Sequence, residues 1–210
     1  MHDLLARFRA CLEADWTTEE NGADWAIRFE GDELLLLFEH SHGTLDWMNN
    51  LNFHAVPYRE MRPVWQCHAG FLHVWRGAMP AIARAVSAPL SVPPRRTGVR
   101  RLTVVGYSHG AALAVLCHEW LWYHFPLWRD NLTGYGFGCP RVLYGCPTPE
   151  LAARWKRFYV IQNDNDPITH LPPRVLGYCH VGQMLRIGDG STHGIDAHRP
   201  ESYLRALGET

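Results

Sequence analysis

The chain has 210 residues, 47% of them hydrophobic, and a formal net charge of −1. That length suits one well-packed domain, residues 1–210, and is short for two. The balanced charge gives no electrostatic case for nucleic acid. There is no internal repeat and no low-complexity segment.

In chain order, residues 1–16 read as an amphipathic helix with Leu4, Leu5, Phe8, Cys11 and Leu12 on one side. They lack the basic start, apolar stretch and small-residue cleavage site of a signal peptide, so the expected location is cytoplasmic. Residues 25–30 and 33–38 read as a hairpin around Gly31-Asp32, its second strand buried because its leucines run unbroken. That apolar run is too short to span a bilayer. Residues 42–56 mix Leu45, Trp47, Met48, Leu51, Phe53 and Val56 with His, Asn and Asp. Residues 68–86 are expected to form a helix or two, broken near Pro80. A Pro-rich connector with Arg95, Arg96, Arg100 and Arg101 reads as a solvated loop.

Then comes the informative stretch. The β-branched run Leu102-Thr103-Val104-Val105 stops at Gly106-Tyr107-Ser108-His109-Gly110, and the small-residue helical segment starting at Ala111 follows at once. Strand, sharp turn and helix, with a serine at the apex and glycines two residues either side, is the context of a nucleophile elbow. Beyond it, strands are expected at 132–137, 157–162 and 181–187, with a short helix at 149–155 and an amphipathic helix (Tyr203, Leu204, Leu207) closing the chain. The expected fold class is α/β: one mixed, mostly parallel sheet with helices on both faces.

A serine hydroxyl needs a base to take its proton and a carboxylate to orient that base. Both candidates for the acid lie in Asn163-Asp164-Asn165-Asp166-Pro167, a turn after a strand: Asp164 and Asp166. Candidates for the base are His180, His193 and His198. Asp196 is too near His198 in sequence to be its orienting carboxylate and reads as a loop or capping residue. The chain's 13 histidines include Cys67-His68, Cys117-His118 and Cys179-His180, which are adjacent rather than two to four residues apart, and no His-Glu-x-x-His occurs. No metal and no cofactor are expected. Six cysteines without a CxxC pair read as free thiols of a reducing compartment, with a single disulfide, for instance Cys139–Cys146, left open.

Several blocks together resemble the class 3, fungal-type lipase family of the α/β-hydrolase fold. They are Phe38-Glu39-His40-Ser41, Asp46-Trp47 through Leu51, His68-Ala69-Gly70-Phe71, the GYSHG elbow, Gly138-Cys139-Pro140-Arg141-Val142, and Asp166-Pro167-Ile168 with Leu171-Pro172-Pro173. The resemblance implies Ser108 as nucleophile, Asp166 as acid and His198 as base. It also implies an oxyanion hole from the amides of Ser41 and His109. Glu39 and His40 stand where Arg and Gly are usual, and His109 where Leu is. In that family a helical lid covers the site in the place of residues 42–56, which read equally as a core-facing helix. The expected activity is a lipase or carboxylesterase without cofactor. It would act on a lipid or small acyl ester at a lipid–water interface, the short connectors favouring single-chain substrates. The alternatives are a non-catalytic binding module on the same scaffold, and an acyltransferase or thioesterase using the same triad.

Overall fold

The computed structural model describes residues 2–20, 22–39, 53–94, 96 and 98–209. Helix α1 (His2–Leu12) is followed by β1 (Thr17–Thr18), β2 (Asp24–Glu30) and β3 (Glu33–Phe38). β2 and β3 form the expected antiparallel hairpin, and every residue of β3 is buried. β4 (Ala55–Tyr58) and β5 (Trp65–His68) lead into α2 (Ala69–Leu90), and then come β6 (Arg101–Tyr107) and α3 (His109–His124). The remainder comprises β7 (Leu132–Phe137), β8 (Leu143–Tyr144), α4 (Pro149–Arg154), β9 (Phe158–Asn163), β10 (Tyr178–Cys179), β11 (Gln183–Ile187) and α5 (Pro200–Ala206).

Seven strands form the main sheet in the order β1-β2-β3-β6-β7-β9-β11. From β3 to β11 every pairing is parallel. Parallel strands buried on both faces need helices on each side. One face carries α1 and α5 through Phe8, Cys11, Tyr203 and Leu207; the other carries α2 and α3. α3 is buried on all sides from His109 to Leu121, which explains a sequence apolar around its whole circumference.

Two expectations fail. α2 runs unbroken through Pro80. Its buried residues Phe71, Leu72, Trp75, Ala78, Ile82, Val86 and Leu90 form one stripe on either side of the proline. A proline in a helix interior costs about 3 kcal/mol. Burying each large apolar side chain returns about 1.5–3 kcal/mol, so the stripe wins. Pro80 and Arg76 are also exposed, which leaves the unpaired Arg76 carbonyl on the solvent side. The second failure is a four-stranded antiparallel sheet, β10-β8-β5-β4, that the sequence reading missed. Two of its strands have only two residues, too short for an alternation pattern, and β4 carries Pro57 at the sheet edge, where a missing N–H is tolerated. β4 also takes Ala55 and Val56, the end of the stretch read as lid or helix; residues 42–52 lie outside the described residues.

α3 and α4 are joined by a buried ion pair, Arg154 Nη1 to Glu119 Oε1 at 2.6 Å, with the guanidinium also over the Trp122 ring at 4.7 Å. Burial pushes the Glu119 carboxyl up to about 7 against the pull of Arg154. Arg154→Ala strands that carboxyl without a partner. The expected loss is about 3–5 kcal/mol in urea unfolding, and replacing both partners by Met and Leu should recover most of it.

Candidate active site

All the relevant turns leave the carboxyl ends of the parallel strands, the rim where α/β sheets place their sites. In register, Phe38 lies beside Gly106 and Gly106 beside Gly136, so β3, β6 and β7 end together around Ser108. Ser108 sits between β6 and α3 at φ 56°, ψ −122°, a left-handed conformation rare outside glycine. Its amide donates to the Phe137 carbonyl at 2.9 Å, tying the turn to β7. The flanking glycines follow from contact distances. A Cβ on Gly106 would stand 2.2 Å from the Gly110 carbonyl oxygen, and one on Gly110 would stand 2.3 Å from the Glu39 carbonyl oxygen. Both obstacles are backbone, so neither can turn aside.

The elbow presents Ser108 Oγ to His198 Nε2 at 2.8 Å, and His198 Nδ1 to Asp166 Oδ2 at 2.8 Å. All three residues are buried. Asp166 follows β9 in a tight turn, its amide donating to the Asn163 carbonyl at 2.9 Å. Its Oδ1 accepts from the Ile168 amide at 2.9 Å, and its Oδ2 from the Tyr203 hydroxyl at 2.7 Å. His198 stands on the loop before α5. Asn163 Nδ2 holds that loop by donating to the Ala197 carbonyl at 2.9 Å and to Ser202 Oγ at 2.8 Å. The Tyr107 hydroxyl donates to the His198 carbonyl, and the two rings stack at 5.2 Å. Gly138, at φ +56°, leaves room for this pair: its Cβ would lie 2.8 Å from His198 Cε1 and 3.0 Å from Asp166 Oδ2. Such an array can carry a proton from a hydroxyl to an imidazole while a carboxylate fixes the ring.

The family model for class 3 lipases matches residues 35–176. The chain belongs to the class 3 lipase family. A secreted mono- and diacylglycerol lipase of Malassezia globosa is 28% identical over 172 residues, 80% of this chain and 53% of the relative. A secreted mono- and diacylglycerol lipase of Fusarium solani is 28% identical over 161 residues, 75% of this chain and 45% of the relative. The chain thus spans about half the length of the curated relatives it matches. Among solved structures, the Rhizomucor miehei triacylglyceride lipase superposes with a TM-score of 0.73 at 20% identity, over 90% of this chain and 81% of that one. The lipase of Rhizopus microsporus var. chinensis does so with a TM-score of 0.75 at 18% identity, over 91% and 75%. These two likenesses establish the α/β-hydrolase fold.

Within this class 3 lipase fold, the other candidate residues take bland positions. The Asp164 carboxylate accepts from the amides of Gly190 and Thr192 at 2.8 and 3.1 Å, which closes a loop away from His198. His180 pairs through Nε2 with the Thr169 carbonyl at 2.7 Å, and burial pushes it down to about 4. His193 is exposed, and Asp196 pairs with Arg199 at 2.8 Å. Ser41 lies outside the described residues. His109, where the family has Leu, opens α3 with its ring buried 5.5 Å from that of Phe71. Burial, and then the nearness of His68, push it down to about 4, and burial does the same to His68.

Sequence reasoning missed Tyr203, Tyr107, Asn163 and Gly138. Tyr203 was assigned to the apolar face of the closing helix; its ring is there, but its hydroxyl reaches Asp166. For Gly138 the available signal is a glycine that starts the Gly-Cys-Pro-Arg-Val block just past a strand. Among the described residues no group of three or more His, Cys, Asp or Glu is placed to hold a metal ion, and no helix is long and apolar enough to cross a membrane. All six cysteines are unpaired; Cys139 is buried with its Sγ turned to the Pro140 carbonyl, while Cys146 is exposed. Two of the relatives are named as secreted, which runs against the cytoplasmic expectation.

Proposed function

We propose that this chain, acting as one domain, hydrolyses carboxylic esters of lipids through an acyl-enzyme on Ser108. The observation that carries the proposal is the unbroken line Ser108 Oγ, His198, Asp166 with both links at 2.8 Å in a buried setting. His198 Nε2 takes the serine proton as Oγ attacks the ester carbonyl, and Asp166 keeps the ring in the tautomer that leaves Nε2 free to accept. The amides of His109 and Ser41 receive the oxyanion, each worth roughly 3 kcal/mol. Burial keeps the His68 and His109 rings neutral, so those amides rather than an imidazolium stabilise the charge at neutral pH. The protonated His198 then hands its proton to the departing alcohol, and water activated by the same nitrogen releases the acid. No cofactor enters this scheme.

The relatives named mono- and diacylglycerol lipases support partial glycerides, with one or two acyl chains, as substrates. A rate that jumps where a short-chain ester begins to aggregate supports interfacial action; smooth saturation supports an ordinary esterase. The Glu39-His40 departure favours one rival, a non-catalytic module. The purified protein is expected to take up a fluorophosphonate label stoichiometrically, with the adduct on Ser108 by peptide mass spectrometry. Folded protein that stays unlabelled overturns the proposal. Product analysis with added alcohol separates hydrolysis from acyl transfer. The unpaired thiols favour a reducing compartment, the secreted relatives weigh against it, and fractionation of the producing cells decides.

A further inference from the structure

Asp166 is a fully buried carboxylate with no Lys or Arg among the partners of its oxygens. An ionised carboxylate in such a setting is held by hydrogen-bond donors or is not held at all. Three donors reach it: the Ile168 amide on Oδ1, and His198 Nδ1 and the Tyr203 hydroxyl on Oδ2. Two of them belong to the turn and to the relay. The third comes from α5 and has no counterpart in a bare Ser-His-Asp scheme.

The direction of the Tyr203 proton follows from its surroundings. The Asn163 amide donates to the hydroxyl oxygen at 3.2 Å, so the hydroxyl's own proton is free for another acceptor. Two are in range, the Asp166 carboxylate at 2.7 Å and the Ile161 carbonyl at 3.4 Å, and the nearer one is charged. The ring cannot swing away. It packs against Phe8 at 5.4 Å, Tyr107 at 5.7 Å and Phe137 at 6.4 Å, and it is fully buried.

We infer that Tyr203 is a positioning residue, a fourth member of the relay. Its hydroxyl holds the Asp166 carboxylate ionised and aimed at His198, and so sets the basicity of His198. Burial and the Asp166 charge push the tyrosine's own ionisation far up, so it remains a donor throughout the working range. This inference rests on the proposed hydrolytic role for its kinetic consequences, but its structural content stands apart from it.

Tyr203→Phe removes one oxygen and keeps the ring. Negative charge that the hydroxyl had drawn away returns to the face of Asp166 that meets His198, which stabilises the imidazolium. Because the working form has a neutral His198, the acid limb of kcat/KM is expected to move to higher pH, by about half a unit. kcat is expected to fall roughly tenfold with KM within twofold, the loss of one hydrogen bond to a charged group. Among the described residues, the other titratable groups facing this cluster are Tyr107 on β6, Glu201 on α5 and Cys11 on α1, and all three remain unchanged in the variant. Arg199 is turned to Asp196, and Asp164 to its own loop. A parallel NMR titration of the His198 ring, in wild type and Tyr203→Phe, reads the same shift without relying on turnover. If wild type proves inactive, the hydrolytic proposal fails while the titration still judges Tyr203. A variant with lower melting temperature but an unmoved His198 titration makes the tyrosine mere packing and overturns the inference, as does a variant with unchanged kcat and acid limb.

Discussion

Ser108→Ala is expected to abolish ester hydrolysis, lowering kcat by about 10⁴- to 10⁶-fold, while the protein stays folded. The side chain of Ser108 makes its hydrogen bond to His198, whereas the elbow itself is held by backbone: the Ser108 amide on Phe137 and the close approach of Gly106 to Gly110. Alanine keeps that backbone and meets the same left-handed φ. Far-ultraviolet circular dichroism and urea midpoint should therefore match wild type within about 1 kcal/mol, and fluorophosphonate uptake should vanish with turnover. Retention of more than about a tenth of the wild-type kcat would falsify the assignment of the nucleophile.

Gly138→Ala, in which no proposed proton-transfer group is touched, is expected to lower kcat/KM by about 10²-fold or more. The added methyl would overlap His198 at Cε1 and Nδ1, 2.8 and 2.9 Å away, and approach Asp166 Oδ2 at 3.0 Å. The imidazole cannot yield backwards, because the Tyr107 ring is stacked against it at 5.2 Å. Something must shift, and any shift lengthens the 2.8 Å contact between His198 and Asp166. Alanine also carries a left-handed strain of roughly 1–2 kcal/mol at this φ. Gly145→Ala separates the two effects. Gly145 has φ +86° and open space where its Cβ would go, so that variant carries strain without overlap and should keep its activity. Equal losses in both variants would show that backbone strain, not crowding of the relay, is what Gly138 avoids.

The elbow was legible in the sequence because its motif is a statement about steric exclusion. Gly106 and Gly110 mark two places, one on either side of the serine, where a Cβ would meet backbone. The central strands were legible because β3 and β6, parallel and buried on both faces, leave nearly continuous apolar runs. Asp166 and His198 emerged from chain order together with the family resemblance; the residues alone left Asp164, His180 and His193 in contention. Setting them aside needed coordinates: Asp164 and His180 make ordinary loop and backbone contacts that no spacing encodes, and His193 is exposed. Tyr203 escaped notice because a tyrosine on an amphipathic helix registers by its ring, and its hydroxyl partner lies 37 residues away in sequence. The small sheet escaped because pairs such as Leu143–Tyr144 and Tyr178–Cys179 acquire strand character only from one another. Pro80 misled because propensity is local, while the apolar stripe that overrides it is a property of the whole helix.

The opening helix turns out to be foundation rather than appendage. Phe8 sits at 5.2 Å from the Tyr107 ring, 4.8 Å from Phe137 and 5.4 Å from Tyr203, beneath the two tyrosines that brace His198 and Asp166. The chain's first dozen residues therefore underpin a cluster assembled from Tyr107 and Ser108 in mid-chain and from Asp166, His198 and Tyr203 near its end. Trimming or remodelling that segment to ease handling of the protein removes the underside of the reaction centre, however distant it looks on a linear map.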